Sequence, residues 1–181
     1  DFGDLSVTRG QVGQLGSDTR AIIAGGYTGS AASNVIDYVT YSTTGDATDF
    51  GDLTTTAESP ITSANNVRGV FKGSQRAGSA SNVIDYITIA STGNATDFGD
   101  LTAGRRFPAG ASTSTKGFFN GGSTSSSART ANIDTITIAS TGNATDFGAD
   151  LTASKFTHGA SSSAQAAVQN ESYFAPAAMG L

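Results

Sequence analysis

Several residue types that carry chemistry are absent or nearly absent from this sequence. None of its 181 residues is cysteine, which excludes disulfide bridges, thiolate metal ligands and cysteine nucleophiles. The only histidine is His158, and no motif supplies a nucleophile beside it. A metal site made of several histidines is therefore excluded within one chain. We predict that the protein is not an enzyme and has no catalytic, metal-binding or cofactor-binding residues.

Positive charge is also scarce. Lysine and arginine number 10 against 15 acidic residues, so the net charge is −5. Nucleic-acid binding needs clustered lysine and arginine to neutralise phosphates, so we expect no nucleic-acid partner. No apolar run approaches the roughly 18 residues of a membrane span, so we expect no membrane insertion.

The dominant feature that is present is an internal repeat. The string DFGDL occurs three times and returns a fourth time with one inserted residue; its copies begin 48, 48 and 49 residues apart. A fixed period near 50 residues is typical of repeat architectures. We interpret residues 1–181 as a single repeat domain. Its units are 6–53, 54–101, 102–151 and a partial fourth made of 152–181 with 1–5.

Each unit shows the same order of strand and turn signals. A short apolar segment ends at glycines that permit positive φ, namely Gly25, Gly26, Gly73, Gly121 and Gly122. A longer segment rich in Val, Ile, Thr and Tyr follows, then a turn such as TGNAT, and then DFGDL. The long segments predict the strongest strands, at 34–42, 82–91 and 132–140.

Alternation along the second long strand places apolar residues on both of its faces. Ile87 and Ile89 lie on one face with Asp85, while Ile84 and Tyr86 lie on the other. A sheet that is exposed on one side would alternate cleanly. We therefore expect an all-β fold of small antiparallel sheets stacked face to face. The segment 1–5 would complete the last sheet, or a second chain would do so.

The order of these signals resembles the kelch repeat of β-propellers. Stretch 105–122 is similar to the kelch opening strands with their diglycine, and the Asp-Tyr positions match the polar residues of the second kelch strand. The residues that match these polar positions are Asp37, Tyr38, Asp85, Tyr86 and Asp134. Near the position of the usual kelch tryptophan lie Phe50, Phe98 and Phe147. The sequence departs from the family in having no tryptophan, in Ser74 for a glycine and in Thr135 for a tyrosine. The resemblance implies a kelch-like β-propeller.

Repeated strings of the type NVIDYITIASTGNATDFGDLT also resemble repeats in virion structural proteins of marine tailed phages, where they occur in fibre or decoration proteins. That resemblance implies a structural or binding protein of a virion surface or tail appendage, located in the virion. We expect protein partners in a larger assembly, as a homo-oligomer, and contact with host-surface carbohydrate. A bacterial extracellular or cell-surface adhesin, or a filament-forming protein, is the alternative. A propeller-type hydrolase or oxidase fits less well.

Recurring polar residues admit a structural and a functional interpretation. Mid-strand Asp37, Asp85 and Asp134 predict hydrogen bonds to a neighbouring unit's loop, because buried carboxylates need partners. The DFGDL aspartates fit turn capping better than calcium binding. Asn94 and Asn143 match the glycosylation sequon, but Asp46 in the first copy favours turn chemistry.

The segments that vary most between units are polar and differ in composition from the rest of each unit. They are rich in Ser, Thr, Gln, Asn and Gly, which suits both carbohydrate hydroxyls and plain solubility. Variable loops on a repeated scaffold are where binding is expected. These segments are 10–19, 58–66, 74–80 and 123–131.

Overall fold

The protein is described by a computed structural model that covers residues 2–74, 80–124 and 128–154. These residues form twelve β-strands and no helix. The strands make three four-stranded antiparallel sheets, and within each sheet the spatial order follows the chain order. The all-β prediction is therefore confirmed, and each unit supplies four strands.

Sheet 1 contains β1 to β4, sheet 2 contains β5 to β8 and sheet 3 contains β9 to β12. The bounds in sheet 1 are Gly13–Gly16, Arg20–Ala24, Ser33–Thr40 and Thr48–Ala57. Those in sheet 2 are Ile61–Ala64, Arg68–Lys72, Val83–Thr88 and Thr96–Asp100. Those in sheet 3 are Ala109–Ser112, Lys116–Asn120, Ile133–Thr137 and Thr145–Asp146.

Sheet 2 is buried on both faces, as the alternation along its third strand predicts. Phe71, Ile87 and Ile89 belong to the apolar core between sheets 1 and 2. Val70 and Ile84 belong to a second core between sheets 2 and 3. Two separate cores therefore hold three sheets in a stack, and burial of these apolar faces is the main stabilising term.

The first strands of successive sheets approach each other closely. The Thr62 hydroxyl donates to the Gln14 carbonyl at 2.8 Å, and the Ser63 hydroxyl donates to the Ala111 carbonyl at 3.0 Å. A Cβ on Gly110 would lie 2.4 Å from the Thr62 carbonyl oxygen, so this approach requires glycine. Small residues in β1, β5 and β9 therefore let the sheets converge along one line.

The diglycines make the bend between the second and third strands. In sheet 1, Gly25 and Gly26 have φ of 61° and 105°, and in sheet 3 Gly121 and Gly122 have 62° and 95°. Such values favour glycine, as the sequence predicts. Unit 2 differs, because Gly73 has no positive φ and Ser74 is buried, with its hydroxyl accepting a hydrogen bond from the Phe107 amide at 3.1 Å.

The three sheets do not close into a ring within the described residues. Most of the partial fourth unit lies outside them, so the completion of a last sheet by 1–5 stays a prediction. In the described part, Phe2–Leu5 contacts the turn of sheet 1. No helix long and apolar enough to cross a membrane is found among the described residues.

The first three DFGDL segments each receive the turn of the following sheet on their outer edge. The Gly93 and Ala95 amides donate to the Phe50 and Asp52 carbonyls, both at 2.7 Å. The same pair of bonds, at 2.7 and 2.8 Å, joins the turn of sheet 3 to the DFGDL copy of sheet 2, and another pair joins the turn of sheet 1 to Phe2–Leu5. We call this contact the turn clasp.

The turn clasp requires a glycine at the centre of DFGDL. Gly99 has φ of 137°, and a Cβ there would lie 2.6 Å from the Gly142 carbonyl. We predict that Gly99→Ala destabilises the protein by about 2–4 kcal/mol, because backbone strain and a steric clash add. Urea unfolding measures this. Gly10→Ala is the control, since a Cβ there meets nothing within 4 Å; equal losses in both variants would contradict the prediction.

Candidate functional site

The most elaborate polar sites of the molecule are three mid-strand carboxylates. Asp37, Asp85 and Asp134 occupy equivalent positions in β3, β7 and β11 and are buried. Each accepts a backbone N–H and a hydroxyl from one residue of the segment that enters its sheet. The donors are Ser6 (3.1 and 2.6 Å), Thr54 (3.0 and 2.6 Å) and Thr102 (3.0 and 2.7 Å).

In sheets 1 and 3 an arginine completes the carboxylate site. The Arg9 guanidinium donates to Asp37 at 3.0 Å, and Arg105 donates to Asp134. Arg105 also donates to the carbonyls of Gly121 and Asn132, at 3.3 and 2.9 Å. These pairs are buried and charge-assisted, so they hold the entering segment against the sheet. Their contacts assign them a structural role.

Sheet 2 lacks this arginine, because Ala57 stands at the corresponding place in the chain. The pKa of Asp85 is accordingly raised, with burial as the largest cause and the Thr54 hydrogen bonds acting against it. All three units therefore keep the buried carboxylate, but only units 1 and 3 place an arginine beside it. Of the three carboxylates, Asp85 is the one whose burial is least compensated by charge-assisted hydrogen bonds.

Lys72, in β6, is a buried cation that sequence reasoning missed. Its ammonium donates to the carbonyls of Gly73 and Arg105, which joins sheet 2 to the segment entering sheet 3. Burial, and then the charge of Arg105, lower the pKa of Lys72 to about 7. Such a lysine has the pKa of a nucleophile or base, but it is fully buried and its partners are backbone carbonyls. It is therefore assigned to packing.

A second recurring contact links neighbouring sheets through an arginine that stacks on a tyrosine. The Arg20 guanidinium lies 4.5 Å from the centre of the Tyr38 ring and donates to the Ile89 carbonyl of sheet 2 at 3.1 Å. Arg68 repeats this on Tyr86, at 4.7 Å, and donates to the Ile138 carbonyl of sheet 3 at 3.2 Å. Cation–π contact and hydrogen bond together fix each arginine across the interface.

The predicted aromatic positions fall into two classes. Phe50 and Phe98 are buried and meet Tyr38 and Tyr86 edge-on, each pair with ring centres 5.9 Å apart. Phe147 is 52% exposed and meets Phe118 instead, at 5.5 Å. The difference arises because the outer face of sheet 3 has no described sheet packed on it.

The carboxylates of DFGDL act as turn caps. The Gly51 amide donates to Asp49, the Gly99 amide to Asp97 and the Gly148 amide to Asp146, at 2.8–3.1 Å. No group of three or more candidate ligands for a metal ion occurs within the described residues.

The two sequon asparagines serve in the turn clasp. Asn94 and Asn143 accept the amides of Asp52 and Asp100, both at 3.0 Å, and Asp46 accepts that of Asp4. Asp and Asn serve equally here because the clasp uses only the side-chain Oδ1.

Two of the variable segments are not loops. Segment 10–19 contains β1 and segment 58–66 contains β5, so part of their variation lies in the converging first strands. Short strands packed mainly through backbone tolerate many small residues. Of the other two variable segments, residues 75–79 and 125–127 lie outside the described residues, as does His158.

The exposed parts of segments 10–19 and 58–66 meet at one end of the sheets. Asn66 donates to Asp18 at 3.1 Å, and the Tyr41 amide donates to the Thr19 carbonyl at 3.1 Å. Tyr41 is 46% exposed, and Asp18 and Asn66 are exposed beside it. We call Asp18, Tyr41 and Asn66 the polar rim. Its hydroxyl, amide and carboxylate groups can hydrogen-bond a polar ligand.

No protein-family model matches the chain, and no curated protein matches it.

We predict that Asp134→Asn destabilises the protein by about 3–5 kcal/mol, because it leaves the buried Arg105 charge without its counter-ion. Chemical unfolding followed by circular dichroism measures the loss. Asp150→Asn is the matched control, since Asp150 is exposed. A loss below about 1 kcal/mol for Asp134→Asn would show that the pair contributes no more than a surface ion pair.

We predict a pH dependence from Lys72. The unfolded chain keeps the lysine protonated up to its ordinary pKa of 10.5, whereas the folded protein loses the proton near pH 7. Between these values the unfolded state binds more protons, so stability rises with pH, by up to about 1.4 kcal/mol per pH unit.

Unfolding free energies at pH 6 and pH 9 test this for the intact protein and for Lys72→Met. The variant removes the titrating group and keeps an unbranched apolar stem, so the increase in stability between the two pH values shrinks. An unchanged increase in the variant would assign the pH dependence to other groups.

Proposed function

We propose that this protein is a structural and binding scaffold of a virion surface or tail appendage, and that its sheets are consecutive blades of a kelch-like β-propeller. The observation that carries the scaffold role is how the recurring polar residues are used. The carboxylate sites, the turn clasps and the arginine–tyrosine pairs all hold one unit to another or an entering segment to its sheet. None is left over for chemistry on a ligand.

The propeller proposal is supported by the shape of each unit and by the convergence of the first strands. Each sheet is a four-stranded meander, and β1, β5 and β9 meet along one line while the later strands lie outside. This is how blades surround a propeller axis. Ring closure then needs further sheets, from residues beyond those described or from protein partners in a larger assembly.

The polar rim supports contact with carbohydrate. An exposed tyrosine next to exposed amide and carboxylate groups offers a flat apolar face and hydrogen-bonding groups together. Carbohydrate, the host-surface ligand proposed for a virion appendage, has hydroxyl groups that these side chains can hydrogen-bond. The rim equally favours the second candidate function, a bacterial extracellular adhesin, because exposed Tyr and Asn on one rim are what an adhesin needs.

A glycan array probed with the full chain tests the binding role. We predict that bound glycans are lost or weakened about tenfold or more in Tyr41→Ala, since stacking on tyrosine is a main contribution to such contacts. Ser154→Ala, which removes an exposed hydroxyl in the segment that follows sheet 3, is the control. Absence of any Tyr41-dependent glycan would leave an assembly role without carbohydrate binding, which the mass of the native particle then tests.

A further inference from the structure

The two interfaces between sheets use the same three contacts. In each, a turn clasp binds the DFGDL edge, an arginine reaches a carbonyl of the next sheet, and a tyrosine meets the DFGDL phenylalanine edge-on. The outer face of sheet 3 is the position where a further repeat sheet would dock by the same rules. Comparing it with the outer faces of sheets 1 and 2 shows what it can receive.

Two side chains of the outer face of sheet 3 are changed together. Lys116 stands where sheets 1 and 2 have arginine, and Thr135 stands where they have tyrosine. The Lys116 ammonium donates to Thr137 within its own sheet, at 2.9 Å. The cation–π contact and the planar guanidinium that reaches across an interface are therefore both missing from this face.

The third change is the inserted Ala149. In the turn clasps, the acceptor carbonyls belong to the Phe and the second Asp, with one residue between them. In unit 3 two residues separate Phe147 from Asp150, so the spacing no longer matches the paired amides of a turn. Gly148 also has φ of 81°, whereas Gly51 and Gly99 have 140° and 137°. Outer strand β12 is correspondingly only two residues long.

The opposite end of the array keeps the regular pattern. On the outer side of sheet 1, Phe2–Leu5 is a DFGDL segment with the regular spacing, and its Phe2 and Asp4 carbonyls already accept hydrogen bonds from the turn of sheet 1. Phe2 is 42% exposed where Phe50 and Phe98 are buried against a tyrosine, and Tyr41 is exposed where Ile89 and Ile138 are buried. A docked sheet would cover Tyr41, so the proposed glycan contact requires a chain whose sheet 1 end is free. This end therefore matches a preceding repeat sheet that carries the arginine–tyrosine pair.

We propose that the array grows in one direction only: the sheet 1 end receives a repeat sheet that bears the arginine–tyrosine pair, while Lys116, Thr135 and Ala149 close the sheet 3 face to any further repeat. Two copies of this chain therefore do not join head to tail through the repeat interface. A homo-oligomer uses other surfaces. The inference depends only on contacts between sheets and stands independently of the proposed virion role.

The test restores the regular face of sheet 3. A face variant combines Lys116→Arg, Thr135→Tyr and deletion of Ala149, and it supplies the sheet that the sheet 1 end is proposed to receive. Phe2–Leu5 already occupies the receiving turn, so the face variant and the unaltered chain are each made with and without residues 1–5. Sedimentation velocity over a concentration series then gives the extent of association of the four proteins.

A cross-link assigns any association to the repeat interface. In the internal interfaces Asp52 faces Asn94 and Asp100 faces Asn143, so Asp150 of one copy would face Asp46 of the next. Because the chain has no cysteine, Asp46→Cys with Asp150→Cys and a short bis-maleimide reports this contact alone. Asp100→Cys with Asn143→Cys is the positive control for cross-linking within one chain.

We expect the face variant without residues 1–5 to form cross-linked dimers and longer arrays, with about tenfold or more product than the unaltered face in the same background. Equal cross-linking with the unaltered face would overturn the proposal. So would a folded face variant that stays monomeric without residues 1–5. Hydrogen exchange at the Gly93 and Ala95 amides, which the internal clasp protects in every variant, verifies folding.

Discussion

A four-stranded sheet with apolar side chains on both faces cannot be stable alone, because one face would always meet water. This constraint organises the whole molecule. Val70 and Phe71 are neighbours in β6, yet they lie in two different cores. Each sheet therefore needs a neighbour on either side, and the stack is the smallest arrangement that supplies one to sheet 2.

Polar contacts then determine how the sheets sit on one another. Apolar burial has little directionality, whereas the turn clasp, the carboxylate sites and the arginine–tyrosine pairs are directional. A chain that is only 37% apolar and has no disulfide depends on such contacts to select one register. The buried Asp134–Arg105 pair shows that such contacts cost desolvation free energy, because both charges leave water. The hydrogen bonds that each group makes in the folded protein offset this cost.

Recurring and varying residues serve different parts of the molecule. Among the described residues, the recurring turn clasps join one sheet to the next, and the recurring mid-strand carboxylates hold the entering segment to its own sheet. Two of the segments that vary contain the converging first strands and residues of the polar rim. The two ends of the stack also differ, because sheet 3 departs from the repeat at the positions that contact a neighbouring sheet in sheets 1 and 2.

The sequence by itself determined the repeat, an antiparallel unit of three or four short strands and the burial of the third strand on both faces, because these depend on local pattern and on residue chemistry. Only the tertiary structure decided the partners of the buried carboxylates, the position of Lys72 and the reason for glycine in DFGDL. The expected bond from the mid-strand aspartates to a neighbouring unit's loop is wrong, because their serine and threonine donors lie 31 or 32 residues away in the same unit. Lys72 and the DFGDL glycines do contact a different unit, and sequence spacing carries no record of how closely distant segments approach.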